Sequence, residues 1–245
     1  MTTFVTAFID LGEDRSQEKS VEARCNHFLS LAKTGIPIYL FMSRSYQEPF
    51  TRIVGPAPNV TIEFVELEEL DTFKEITDVN YELPLHRNGH KDTANFMILM
   101  NAKTEFMHMA MVKTHATHYA WIDFSIFHVF KEVEKTSAYL QTLAVTPLKD
   151  SFLVIPGCWF TQAEPSFSKI SWRFCGGFFM GDRDSLETFY RTYRRLFKSV
   201  VVAYGLSWEV NVWAWLENAQ QLDCTWVNAD HNDSIVRVPS SVLNL

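Results

Sequence analysis

The sequence has no excess of positive charge. Lys and Arg number 22 against 29 Asp and Glu, for a formal net charge of -7. Surfaces that bind nucleic acid carry a basic excess, so the balance argues against that class of partner. No stretch reaches the roughly 20 apolar residues of a membrane span. Met1-Thr2-Thr3-Phe4 lacks the basic region and apolar run of a signal peptide. Cys25, Cys158, Cys175 and Cys224 include no C-x-x-C pair, so no zinc or dithiol motif stands out and free thiols in a reducing cytoplasm are expected. G-x-G-x-x-G, G-x-x-x-x-G-K-[ST] and G-x-S-x-G are all missing. Their absence speaks against the usual dinucleotide enzymes, P-loop phosphotransferases and serine hydrolases.

What is present is core-forming material. Hydrophobic residues make up 47% of 245 residues and charged residues 21%, a balance that folds rather than staying disordered. Twenty Phe, eight Tyr and seven Trp supply most of the core, with a minority free to line a cleft. Phe4–Ile9 reads as a strand. Val21, Cys25, Phe28, Leu29 and Ala32 follow helical spacing up to Gly35-Ile36-Pro37, and Ile36–Met42 and Val60–Val65 read as strands. A strand, a helix and a strand in succession open a parallel sheet with a right-handed crossover. Leu67–Gly89 reads as an irregular acidic excursion, Lys91–Thr114 as one long Met-rich helix, and Tyr119–Phe124, Phe152–Phe160 and Trp172–Met180 as strands. Asp184 is expected to cap a helix with Glu187, and Ser207 to cap another over Trp208–Gln221. A short strand follows Cys224. No repeat or linker divides the chain, so one domain over residues 1–245 is expected.

Four constellations could carry chemistry. Trp121-Ile122-Asp123-Phe124-Ser125 places an acid and a hydroxyl at the carboxyl end of a buried strand, where open α/β sheets bind ligands; a strand-end cap explains Asp123 equally well. Asp230-His231-Asn232-Asp233 offers oxygen and imidazole ligands suited to Mn²⁺ or Mg²⁺, against the simpler reading of a polar turn. Gly176-Gly177 inside an apolar strand marks a bulge or a close approach of backbone to ligand. Glu209 and Asn211 open an apolar helix, where the dipole favours an acid. His86/His90 and His115/His118 lack an accompanying H-E-x-x-H and read as ordinary core or surface histidines. Lys103 and Lys113 precede the Asp123 strand and could add positive charge, though solvated helix faces are the plainer reading.

Taken in order, Phe4–Asp10, Tyr119–Phe124, Gly176–Gly181, Trp208–Asn211 and Asp230–Ile235 resemble the HtrL/YibB family, over roughly Thr3 to Pro239. That family is similar to the A-type glycosyltransferases. The resemblance implies a single Rossmann-like mixed sheet with flanking helices, in the glycosyltransferase A-type architecture. It implies a glycosyltransferase that moves a sugar from a nucleotide-diphosphate donor to a glycan, lipid or protein acceptor, aided by Mn²⁺ or Mg²⁺. Ala7, Phe8 and Asp10 would meet the nucleotide, with Asp123, Ser125, Gly176, Gly177 and Asn211 on the donor. Asp123, Ser125 and His231 would hold the metal, and Glu209 and Asp123 would be catalytic. Ser125 stands where a D-x-D motif has its second acid, and one carboxylate fewer weakens a hard-cation site. A non-catalytic nucleotide-sugar-binding module and a metal-dependent hydrolase built on Asp123, Asp230 and His231 are the competing expectations.

Overall fold

Each apolar run found in the sequence pairs with another to make one mixed sheet. The computed structural model describes residues 1–12, 20–160 and 165–244. In chain order the strands are β1 (Thr2–Phe8), β2 (Ile38–Met42), β3 (Val60–Phe64), β4 (His118–Ile122), β5 (Leu153–Gly157), β6 (Phe178–Asp182) and β7 (Thr225–Asn228). Their spatial order is β3-β2-β1-β4-β6-β5-β7. β1, β2, β3 and β4 run parallel, β6 is antiparallel to both of its neighbours, and β5 and β7 are parallel to each other. The α/β class with flanking helices is therefore as expected.

Two-residue periodicity divides the strand side chains between two cores. Val5, Ala7, Tyr39, Phe41, Tyr119, Trp121 and Phe179 face one layer. Phe4, Phe8, Ile38, Leu40, Ala120, Ile122 and Phe178 face the other. The helices are α1 (Val21–Ala32), α2 (Gln47–Val54), α3 (Asp71–Ile76), α4 (Ala94–Asn101), α5 (Lys103–Lys113), α6 (Val133–Val145), α7 (Arg183–Tyr204) and α8 (Glu209–Asn218). The first core takes apolar residues from α4, α5, α7 and α8, and the second from α1, α2 and α6. The central strands are buried on both faces, whereas the edge strands β3 and β7 are partly exposed.

Several boundaries differ from the sequence reading, each for a local reason. The long helix expected over Lys91–Thr114 begins after its cap Thr93 and breaks at Ala102 into α4 and α5. The buried amide of Asn101 holds the break, donating to Met97 O at 2.6 Å and to Ser207 O at 2.8 Å. The excursion after Leu67 holds α3, because Leu67, Leu70 and Ile76 are buried against the first core. Residues Trp172–Gly177 stay outside the sheet, and β6 begins only at Phe178. Ser207 does not cap α8; Trp208 occupies that position and the Ser207 hydroxyl finds no partner among the described residues. Among the described residues no helix is long and apolar enough to cross a membrane.

The cap of α7 is Asp182 rather than Asp184. Its carboxylate accepts from Asp184 N and Ser185 N at 3.1 Å each and from Phe152 N at 2.6 Å. Burial pushes this carboxyl up, but the hydrogen bonds from Ser185, Phe152 and Asp184 outweigh it and leave the pKa below the usual range. A depressed folded-state pKa contributes stability above the unfolded value, and this is lost as pH falls through the folded one. Asp182→Ala is therefore expected to cost about 1–2 kcal/mol at neutral pH. Denaturant titrations at pH 7 and near pH 2 check it, and the gap between variant and parent should shrink in acid.

Candidate functional site

Strand polarity gathers the candidate residues at one edge of the sheet. β4, β5 and β7 finish there, and β6, running the other way, starts there. Asp123 follows β4, Gly176-Gly177 precede β6, Cys158 follows β5, and Asp230-His231 lie just beyond β7. The backbone continues the ladder past the strands, with Asp123 N donating to Gly177 O at 2.9 Å. This is the carboxyl-end edge at which open α/β sheets bind ligands.

The floor of the site is a buried ammonium group. Lys103, the first residue of α5, has a side chain 2% exposed and donates to Glu209 Oε1 at 2.7 Å and Gly176 O at 2.8 Å. Its Nζ lies 3.3 Å from Asp123 Oδ1, so three protons meet three acceptors. The same Oδ1 accepts from Trp121 Nε1 at 2.8 Å, and the Trp121 ring lies 5.6 Å from the ammonium. Burial alone pushes the Lys103 pKa down, but Asp123 and Glu209 more than reverse this and hold it above the ordinary lysine value. The lysine is therefore a fixed cation. Gly176 is dictated by the same group, because a Cβ there would stand 2.0 Å from Glu209 Oε1 and 3.0 Å from Lys103 Nζ.

Above this floor opens a cleft of about 200 Å³ lined by Asp123, Gly176, Gly177, Glu209 and His231 together with Lys91, Trp172 and Trp208. Asp123 is 39% exposed, and its Oδ2 takes no hydrogen bond from the described residues. A second cleft of about 530 Å³ adjoins it along Asp123 and Lys91 and is lined by Ala7, Ser125, Arg24 and His128. Ser125 Oγ accepts from Arg24 Nε at 3.4 Å. The Arg24 guanidinium lies 4.7 Å from the centre of the Phe8 ring, which stacks on Tyr46 and Phe124.

Other expected residues lie elsewhere or face differently. Asp10 accepts from Ser45 Oγ at 2.8 Å and Tyr46 hydroxyl at 3.2 Å, tying the segment after β1 to the segment after β2, and neither it nor Phe8 lines either cleft. Asn211 is wholly buried and donates to Ser166 O and Lys169 O while accepting from Ser171 N. It thereby fixes the segment that carries Trp172. His231 packs edge-on against Trp172, with ring centres 4.4 Å apart, and turns Nδ1 toward Cys158 Sγ at 3.9 Å. Burial lowers its pKa against the pull of Asp230 and Asp123, with Lys91 and His128 adding to the fall, so the ring is neutral at pH 7. Lys103 is no solvated face, in contrast to the sequence reading; Lys113 is half exposed, 4.0 Å from Glu63. A lysine set between the apolar run Phe96–Met100 and the Met-rich run Phe106–Met111 is the available signal for Lys103.

No family model matches the chain, and no curated protein matches it in sequence. Solved structures align with most of its length. Rv0371c from Mycobacterium tuberculosis H37Rv, crystallised with manganese, is 10% identical at a TM-score of 0.42, with 97% of this chain and 93% of that one covered. Mouse xyloside xylosyltransferase 1 in its apo form is 9% identical at 0.43, covering 94% and 86%. The 4-diphosphocytidyl-2C-methyl-D-erythritol synthase of Anaerococcus prevotii DSM 20548 is 9% identical at 0.42, covering 97% and 89%. With TM-scores below 0.5 these are likenesses of outline, and the chemistry is read from the residues of this chain.

Removing one member of a buried ion pair strands its partner, which costs about 3–5 kcal/mol, whereas replacing both with apolar groups is close to neutral. Lys103→Met should fall in that range in urea unfolding, and Lys103→Met combined with Glu209→Leu should recover most of the loss. If the single variant keeps parental stability, the ammonium is not the keystone of the site.

Proposed function

We propose that this chain is a single-domain glycosyltransferase of the HtrL/YibB type, transferring a sugar from a nucleoside-diphosphate donor to a glycan, lipid or protein hydroxyl. The observation that carries the reading is the Lys103 ammonium held between Glu209 and Asp123 at the floor of a glycine-lined cleft. Lys103, its three protons already taken, fixes the two carboxylates in place at that floor. The negative charge that a diphosphate leaving group gains as the sugar bond breaks would be met by the other cations of the cleft and by a cation on Asp123 Oδ2. Lys91 and Arg24 add positive charge along the two clefts. The glycine backbone leaves room for a sugar, and Trp172 and Trp208 offer apolar walls against which a sugar ring packs. The motif order from Phe4 to Ile235 supports the same reading, and four cysteines without a disulfide go with a cytoplasmic setting.

Within this reading Glu209 orients the acceptor hydroxyl and takes its proton, and Asp123 Oδ2 accepts from a donor hydroxyl or holds a cation. Of the three expected metal ligands, Asp123 Oδ2 fits best. Ser125 Oγ is turned to Arg24, and His231 Nδ1 to the Cys158 side. Hard cations of the Mn²⁺ and Mg²⁺ kind are commonly held by one or two carboxylates and by the substrate's own phosphates. When bound, such a cation would supply further neutralisation of the diphosphate.

One observation favours a second reading, a nucleotide-sugar-binding module without transfer. Glu209 Oε1 is committed to Lys103 at 2.7 Å and the side chain is only 6% exposed, which leaves it little access to an acceptor hydroxyl. Thermal shift against nucleoside diphosphates and nucleotide sugars, with and without Mn²⁺, tests the donor site. A ligand at 100 times its Kd adds about 2.7 kcal/mol, and the shift should vanish in Asp123→Asn. Release of nucleoside diphosphate from the bound donor separates the readings: Glu209→Gln should keep binding and slow release by about 100-fold or more. Absence of any nucleotide-dependent shift from folded protein sinks both.

A further inference from the structure

Beside the cleft stands a cluster that the transfer chemistry does not use. Cys158 and Cys175 approach to 3.3 Å between sulfurs without a disulfide. Cys158 Sγ lies 3.9 Å from His231 Nδ1 and 3.9 Å from Asp230 Oδ1, and these two atoms are 3.8 Å apart. The ligand atoms of Cys158, Cys175 and His231 all fall within 4.8 Å of one another, the only such group of His, Cys, Asp or Glu among the described residues. Around a tetrahedral zinc, with bonds of about 2.0–2.3 Å, neighbouring ligand atoms are roughly 3.3–3.8 Å apart. The separations in the cluster run from 3.3 Å to within 4.8 Å, so small side-chain movements would bring the set to that spacing.

The backbone beneath it is fixed before any ion arrives. Cys158 N and Trp159 N both donate to Trp172 O, at 3.0 and 2.9 Å, Cys175 N donates to Pro156 O at 2.7 Å, and Ala229 N donates to Gly157 O at 2.8 Å. These bonds clamp the ends of β5 and β7 and the approach to β6 into one knot. Gly157 has no room for a side chain, since a Cβ would meet Arg173 O at 1.8 Å. Preorganisation of this kind is what positions a ligand set. An open depression of about 490 Å³, lined by Cys158, Asp230 and Ser234 among others, leads from solvent to the Cys158 sulfur, with Cys175 buried behind it.

We propose that Cys158, Cys175 and His231 bind a zinc ion, with the exposed Asp230 closing the fourth position. Two sulfurs and an imidazole suit a thiophilic borderline cation and not the hard cations of a diphosphate site. Binding displaces the two thiol protons to solvent and changes no oxidation state. Four chain ligands make the site closed, so its role is structural: it ties together three loops and fixes His231 against Trp172 at the cleft rim. The spacing in the chain, with cysteines on either side of an intervening segment and the histidine far downstream, is why no local motif announces it.

The test uses the full chain, reduced and stripped with chelator, then titrated with Zn²⁺ alone and with Co²⁺ alone. One equivalent of Zn²⁺ per chain should bind and raise the melting temperature, and Co²⁺ should give a thiolate-to-metal charge-transfer band. Cys158→Ser and His231→Ala, both at partly exposed positions, should each weaken Zn²⁺ binding by more than about 100-fold, the upper end of what loss of a mere supporting residue does. Asp123→Asn should leave Zn²⁺ binding unchanged while removing the nucleotide-dependent shift, so failure here and failure of the transferase reading are told apart. Folded protein that takes up no Zn²⁺ and gives no cobalt–thiolate band overturns the proposal. So does binding that is indifferent to both variants.

Discussion

The structure turns on one ammonium group taken out of water. A buried lysine survives only if every proton finds an acceptor and its charge is opposed, and Lys103 meets both conditions through Glu209, Asp123 and the Gly176 carbonyl. Much of the surrounding sequence follows from that requirement. Gly176 has to lack a side chain. Trp121 has to turn its N–H toward Asp123. The helical run after Thr93 has to break so that α5 begins at the lysine, and Asn101 secures the break by bonding to the chain just ahead of α8. The carboxylates that look like independent catalytic candidates in the sequence are thus two arms of one electrostatic unit.

The sheet explains why two chemically different clusters are neighbours. With β6 reversed between β4 and β5, its beginning lies beside their ends, and β7 finishes alongside β5. Loops that are far apart in the chain then share one edge. Oxygen and ammonium groups collect over β4 and β6, and sulfur and imidazole over β5 and β7. His231 belongs to both neighbourhoods, lining the cleft while turning one nitrogen toward the cysteines.

The features legible in the sequence were those whose cause is local. Strands announced themselves as short apolar runs, and Asp123, Gly176, Gly177, Glu209 and His231 as polar or glycine residues interrupting apolar context; these five do line one cleft. The α7 cap was misplaced by two residues because Asp182 and Asp184 are equally good caps by type, and only the contact to Phe152 distinguishes them. The break at Ala102 was illegible because no glycine or proline marks it, the cause lying in Ser207, 106 positions from Asn101. Lys103 was read as solvated for the same reason: its partners Gly176 and Glu209 lie 73 and 106 positions away. Phe8 and Asp10 do lie at the expected strand end, but nothing in a single strand tells that one stacks into a core and the other ties that end to the segment after β2.

Those long separations also bear on how the molecule comes into being. Contacts between distant parts of a chain form late, after the entropy of closing long loops has been met. Until α8 arrives, Lys103 sits in an apolar helix–sheet layer with its nearest opposing carboxylate missing. A chain still emerging from the ribosome, or one clipped before Glu209, carries an ammonium that its own core disfavours. The half-made protein is therefore marked as unfinished by its own interior until α8 supplies Glu209.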